Sequence, residues 1–395
     1  MDRTPGTAIY RFGMSEDRSA DVTLRARSLE EAIVALKANA TVTTLKLSDI
    51  KFGVHGAEVI AVALRMNTSL QTLFLRENGI GDEGTAHIAA ALQSNAAVTS
   101  FHLRSNGVGV EGGRHIAAAL RRNTSISSLD LSFNSIGALG ARWIAASLHP
   151  DTSLTTIATI NLNCNSIGAQ GAVLFAEALH TNSTIRALHL RSNSIGDEGA
   201  SKIANAMQTN TTVTALDLSG NKIGPKSAEC IAAALHLNSI VRTIILEQNI
   251  ISDLGAERIA AALQKNVTLT TLDLSHNIIS ARGAACLAVA LQTNTTLTAL
   301  PLRRNMIVDQ AAEQIATALQ RNSNPVQVLA ISCSPQGLDR LAVTCTTFGG
   351  TELAVLELMR KDTLVELKTS IASHCRLDLT KHHLRLVLSD GSLLQ

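Results

Sequence analysis

The chain has 395 residues, with 34 Lys and Arg against 32 Asp and Glu and a formal net charge of +2. That balance excludes a nucleic-acid binder resting on a broad basic surface, and aromatics at 2% leave no stacking platform for single strands. Hydrophobic residues at 46% against 17% charged exclude a disordered chain.

In chain order, residues 1–27 open with MDRTPGTAIYRFGMSEDRS, which carries charges and no continuous apolar stretch. This is not a secretory signal, and the segment is expected to be a flexible tail. Ser28-Leu29-Glu30-Glu31 reads as a capping box, with Ser at the N-cap and Glu at N3. Residues 28–41 are therefore expected to form a half-repeat helix that shields the first unit of a repeat array.

Residues 42–324 hold that array, ten units of period 28, one of them longer by three residues. The first half of each unit reads LxxLxL, an alternating short strand with Leu73 and Leu75, or Leu129 and Leu131, turned inward. The second half reads IAxAL, with Ile88 and Leu92, or Ile116 and Leu120, on one helical face. Between the halves stands an asparagine: Asn78, Asn106, Asn134, Asn165, Asn193, Asn221, Asn249, Asn277 and Asn305, with Ile50 in the first unit. Stacked in register, these amides can satisfy backbone groups where the chain leaves each strand. Glycines such as Gly81 and Gly84 permit the turn into the helix.

The pattern LxxLxLxxNxIGxxGAxxIAxAL resembles the ribonuclease-inhibitor class of leucine-rich repeat. It is similar to the repeat regions of NOD-like receptors and Ran GTPase-activating proteins. The resemblance implies an α/β solenoid, a horseshoe with parallel strands on the concave side and helices on the convex side.

The period stops near 325. Residues 325–337 are expected to be a terminal cap or linker, and 338–395 a small α+β module. Arg340–Cys345 and Glu352–Leu358 read as a hairpin, Asp362–Ile371 as a helix and Leu384–Leu388 as a strand. DTLVELKTSIA followed by LRLVLSDGSLL resembles a ubiquitin-like β-grasp, incomplete because the sequence ends before its last strand.

Other motifs take plainer readings. Gly79-Ile80-Gly81-Asp82-Glu83-Gly84 matches GxGxxG, but it recurs with the repeat and serves the turn, so no cofactor is expected. Seven sequons, at Asn39, Asn67, Asn123, Asn182, Asn210, Asn266 and Asn294, share one position at the helix-to-strand turn. The six cysteines form no CxxC pair, so no metal is expected. Their scatter fits free thiols, and a cytoplasmic location is expected. No nucleophile–base pairing supports an enzyme.

The fifth and seventh residues of each unit face outward on the strand. They give Arg76, His102, Arg104, Asp130, His189, Arg191, Asp217, Glu247 and Asp273, basic at first and acidic further on. A bipolar strip suits a protein surface and suits DNA poorly. The expected function is a monomeric, non-catalytic scaffold that binds a protein on this concave face, with no nucleic acid or membrane partner. The resemblance offers two alternatives: activation of a small Ran-like GTPase, and a ubiquitin-like adaptor or tubulin-cofactor-like chaperone.

Overall fold

A computed structural model describes residues 22–38, 41–149, 156–307, 309–323, 328–335, 340–347, 352–359 and 385–388. The chain divides into two compact units, Met1–Asn193 and Ser194–Gln395.

The first unit runs β1 (Val22–Arg25), α1 (Leu29–Ala38), β2 (Val42–Lys46), α2 (Gly53–Met66), β3 (Thr72–Phe74), α3 (Gly81–Leu92), β4 (Ser100–His102), α4 (Val110–Leu120), β5 (Ser128–Asp130), α5 (Gly137–Ala146), β6 (Thr159–Asn161), α6 (Gly168–Thr181) and β7 (Ala187–His189). The strands pair in sequence order and all in parallel. A helix between successive strands returns the chain to the same end, as parallel pairing requires. Leu73, Leu75, Ile88 and Leu92 are fully buried or nearly so, each worth about 1.5–3 kcal/mol of removed apolar surface. Phe101 and Phe175 replace the usual Leu and Ile and are equally buried.

Two glycines show what the turn demands. Gly81 has φ +61°, a left-handed conformation. A Cβ on Gly84 would lie 2.7 Å from Ile80 Cγ2 and 3.0 Å from Ala57 Cβ, so this glycine lets α3 approach α2.

At the start of α1, Ser28 Oγ accepts from the Glu31 N–H at 3.2 Å, and the Glu31 carboxylate accepts from the Arg27 N–H at 2.8 Å. The expected tail of residues 1–27 needs correction, because Val22–Arg25 form β1, parallel to β2. Half-buried Val22 and Leu24 alternate with exposed Thr23 and Arg25. The edge of β2 supplies the unpaired N–H and C=O groups that such a segment can satisfy.

A second set of asparagines closes the other end of each repeat. Asn123 is buried; its Nδ2 donates to Leu92 O at 2.6 Å and Asn95 O at 2.9 Å, and its Oδ1 accepts from the Ser125 and Ile126 N–H groups. Asn95 makes the same bonds, and in the second unit so do Asn238, Asn266 and Asn294; Asn67 donates to Leu36 O and accepts from the Ser69 and Leu70 N–H groups. The sequons at Asn67, Asn123, Asn266 and Asn294 are thus buried turn-formers whose amide nitrogens are engaged. Asn39 lies outside the described residues.

The second unit continues with α7 (Gly196–Met207), β8 (Ala215–Asp217), α8 (Pro225–Leu237), β9 (Thr243–Ile245), α9 (Asp253–Leu263), β10 (Thr271–Asp273), α10 (Ala281–Thr293) and α11 (Asp309–Ser323). β8, β9 and β10 are parallel, and the last repeat adds a bridge from Thr271 to Ala299.

Aspartates link successive helix starts. Asp82, in the first turn of α3, accepts from the N–H of Gly109, the N-cap of α4, at 2.5 Å. Asp197 accepts from Gly224 N–H at 2.8 Å and from the Ser227 hydroxyl, at the start of α8. Asp253 accepts from Ser280 N–H at 2.7 Å, Ser280 Oγ at 2.6 Å and Gly283 N–H at 3.0 Å. At α4 and α8 the N-cap is glycine, Gly109 and Gly224, and the cap it cannot provide comes from the preceding repeat; at α10 Ser280 caps its own helix and Asp253 adds to it.

Beyond the repeats lie β11 (Val328–Pro335), β12 (Arg340–Thr347), β13 (Glu352–Met359) and β14 (Arg385–Leu388), in the sheet order β13-β12-β11-β14. The expected linker at 325–337 needs correction, because Leu329, Ile331 and Cys333 alternate with Ala330, Ser332 and Ser334 at the strand period and form β11. β11 pairs antiparallel with β12 and parallel with β14. β11 thus lies between β12 and β14 in this sheet. The helix expected at 362–371 lies outside the described residues.

Candidate functional site

Each short strand buries its middle residue and leaves its neighbours half-exposed on the face turned away from the core. Parallel pairing sets equivalent residues side by side. On this open face of the first unit one row therefore reads Lys46, Phe74, His102, Asp130, Asn161, His189. Two residues further on, Ser48, Arg76, Arg104, Ser132, Asn163 and Arg191 occupy equivalent positions.

The strand ends are fixed by the asparagines. Asn106 Nδ2 donates to Leu75 O, Leu103 O and Arg104 O at 2.7–3.2 Å, and its Oδ1 accepts from the Asn78 N–H at 3.0 Å. The residue before each asparagine takes a left-handed backbone, with φ 60° at Glu77, 55° at Ser105 and 57° at Phe133. That conformation swings its side chain toward the open face. Glu77 meets Arg76 with N–O distances of 2.5–2.6 Å. Phe133 lies beneath Arg104, whose guanidinium carbon is 3.9 Å from the ring centroid.

The first row is a stack. Lys46 Nζ lies 5.1 Å from the Phe74 ring centroid, and His102 stacks on the same ring at 4.1 Å and 17°. His102 Nε2 is 2.8 Å from Ser100 Oγ, and Nδ1 is 3.7 Å from Asp130 Oδ2. Burial pushes the Asp130 pKa up, but the neighbouring His102 imidazole and the hydrogen bond from the Ser132 N–H outweigh it and hold the pKa below the usual carboxylate value.

Arg104 differs from its neighbours. Its Nε is buried with no acceptor, and its ring contact is with Phe133, itself 46% exposed. Arg76 is half-exposed and tied to Glu77. His189 and Arg191 lie in and just after β7, half-buried, and the Arg191 N–H donates to Asn163 Oδ1.

The acidic residues of the second unit are more occupied. Asp217 is only 7% exposed and accepts from the N–H and hydroxyl of Ser219. Asp273 accepts from the Ser275 N–H at 2.8 Å, the turn that Asp130 makes with Ser132. Glu247 has Arg303 Nη2 at 3.3 Å and His276 Nε2 at 3.9 Å. These carboxylates serve their own strand ends and ion pairs before any partner.

The structure thus gathers Arg76, His102, Arg104 and Asp130 on β3–β5 and just beyond their ends, with Lys46 and Phe74 alongside. Phe133 was missed because only the fifth and seventh repeat positions were taken as outward. The recurring residue before each asparagine is the signal that would have found it. Among the described residues no group of three His, Cys, Asp or Glu side chains is placed to hold a metal, and no helix is long and apolar enough to cross a membrane.

The sequence profile of the family described as Leucine Rich repeat matches residues 67–89, 122–145, 181–204, 209–232 and 265–288. No curated protein matches the chain in sequence. Similar solved structures include leiomodin-1 actin-binding site 2, at 23% identity over 39% of this chain and 88% of that one, with TM-score 0.35. The C-terminal domain of a Caenorhabditis elegans tropomodulin is similar at 11% identity over 39% and 92%, with TM-score 0.35. A chain of the yeast Rad7–Elc1 complex is similar at 12% identity over 73% and 81%, with TM-score 0.41. The profile matches, the 28-residue strand–helix units and the asparagine-closed turns together show that this chain carries leucine-rich repeats.

Proposed function

We propose that the chain is a scaffold whose open strand face in the first unit receives a protein partner. One observation carries this reading: the half-exposed surface of β2–β5, where Lys46, Phe74, His102 and Asp130 stack in register beside Arg76 and Arg104. Aromatic and arginine side chains of this kind supply most of the energy at protein interfaces. The acidic residues of the second unit add less, because Asp217, Glu247 and Asp273 are already engaged. No observation favours GTPase activation or a ubiquitin-like adaptor over this reading.

The test is affinity capture with the full chain beside an Arg76→Glu/Arg104→Glu variant. A partner retained by the natural chain and lost by the variant is the expected result. An unchanged set of partners would move the site off this face.

A further inference from the structure

Cations on a protein surface commonly sit beside carboxylates. On this face two of them rest on rings instead. Lys46 lies over Phe74 and Arg104 over Phe133, and neither has a carboxylate partner among the described residues. A ring holds a guanidinium through its flat face and leaves its N–H edge free for an acceptor. Arg104 is held in this way against a half-exposed ring, with its buried Nε unsatisfied. The nearest carboxylate on the strand row, Asp130, is turned to His102 and to the Ser132 N–H. Arg76, one repeat away, is bound only to exposed Glu77, a surface pair that a better-placed acid can displace.

From this we infer that the surface of β3–β5 is built for an acidic segment of a partner protein: an Asp or Glu side chain caps the N–H edge of Arg104 above Phe133, and neighbouring acids meet Arg76 and Lys46. The inference rests on the scaffold reading and narrows it to a partner chemistry. Carboxylate is favoured over nucleic acid because Asp49, Glu77 and Asp130 lie on or beside the same face and would repel a continuous phosphate backbone. A row of separate side chains can be spaced to avoid them.

The experiment selects a random dodecapeptide display library on the full chain, then measures the best peptide by fluorescence anisotropy. The expected result is enrichment of Asp and Glu in the selected peptides. Arg104→Glu should weaken binding about tenfold or more, and Arg104→Lys should weaken it several-fold, because lysine keeps the charge but not the two-pronged edge. Phe133→Leu, which keeps every charge, should also weaken it. Selected peptides without acidic enrichment, or binding unchanged in both Arg104 variants, would overturn the inference. So would tighter binding of a phosphoserine version of the peptide, or of an oligouridylate of equal charge, since each points to a different ligand. If no acidic peptide is selected while the charge-reversal variant still loses its captured partner, the inference falls and the scaffold reading stands. If capture is unchanged as well, both fall.

Discussion

The guanidinium of Arg104 lies 3.9 Å from the ring centroid of Phe133, a residue held at φ 57° one position before the ladder residue Asn134. A bulky residue in a left-handed turn is uncommon, and here the turn aims the ring at the cation. Phe133→Gly should relieve about 1 kcal/mol of backbone cost and give up roughly 0.5–1 kcal/mol of ring–cation contact, leaving the melting temperature nearly unchanged. Phe133→Val should be clearly less stable than Phe133→Gly, since a β-branched side chain fits that backbone worst. Thermal melts of the two variants decide it.

Asn123 makes two donor bonds and accepts from two backbone N–H groups and the Ser125 hydroxyl while buried. Asn123→Ala should cost about 3 kcal/mol, because backbone groups of two repeats lose partners that water cannot replace. Hydrogen exchange should show the amides of Ser125 and Ile126 losing protection first. Equal protection in the two proteins would mean that the turn holds without the side chain.

Asp253 should set part of the acid limit. The Ser280 hydroxyl, above all, holds its pKa below the usual value; burial opposes it, and the N–H groups of Ser280 and Gly283 and the charge of Arg282 add to the lowering. A carboxylate with a lowered folded pKa contributes stability that is fully present above its unfolded pKa of about 3.9. That stability is lost as pH falls through the lower folded value. Ser280→Ala should raise the Asp253 pKa toward the ordinary value and shrink the difference between neutral and strongly acid stability. Carboxyl NMR titration reads the first, and unfolding at the two pH values reads the second.

Gly84→Ala should destabilise by about 1–3 kcal/mol, because the new methyl group meets Ile80 and Ala57 at 2.7 and 3.0 Å. Gly81→Ala should cost about 1 kcal/mol for a different reason, its φ of +61°. Combining Gly84→Ala with Ala57→Gly should recover part of the first loss and none of the second, as denaturant midpoints would show.

The repeat was legible because two periods alternate without interruption: Leu73 and Leu75 at the strand period, Ile88 and Leu92 at the helical one. The second set of asparagines was only half legible. A search for sequons finds Asn67 and Asn123 but passes over Asn95 and Asn238, which lack the hydroxyl residue and make the same bonds. The caps at Asp82 and Asp253 join residues 27 apart, and no local pattern predicts them. β1 and β11 were missed because each is completed by a neighbouring strand: β1 by β2, and β11 by β12 and β14. At Asp217 and Asp273, as at Asp130, the serine two residues on donates its N–H to the carboxylate, a local bond that outward strand positions alone do not announce.

The aspartate caps run one way along the chain. Asp82 serves α4, Asp197 serves α8 and Asp253 serves α10, and in each case the giver precedes the receiver. Within a unit, melting of one such helix strips the start of the next, while the helix before it keeps its own cap. Fraying should therefore spread more readily toward the C-terminus than toward the N-terminus, giving the array a direction of unzipping as well as a length.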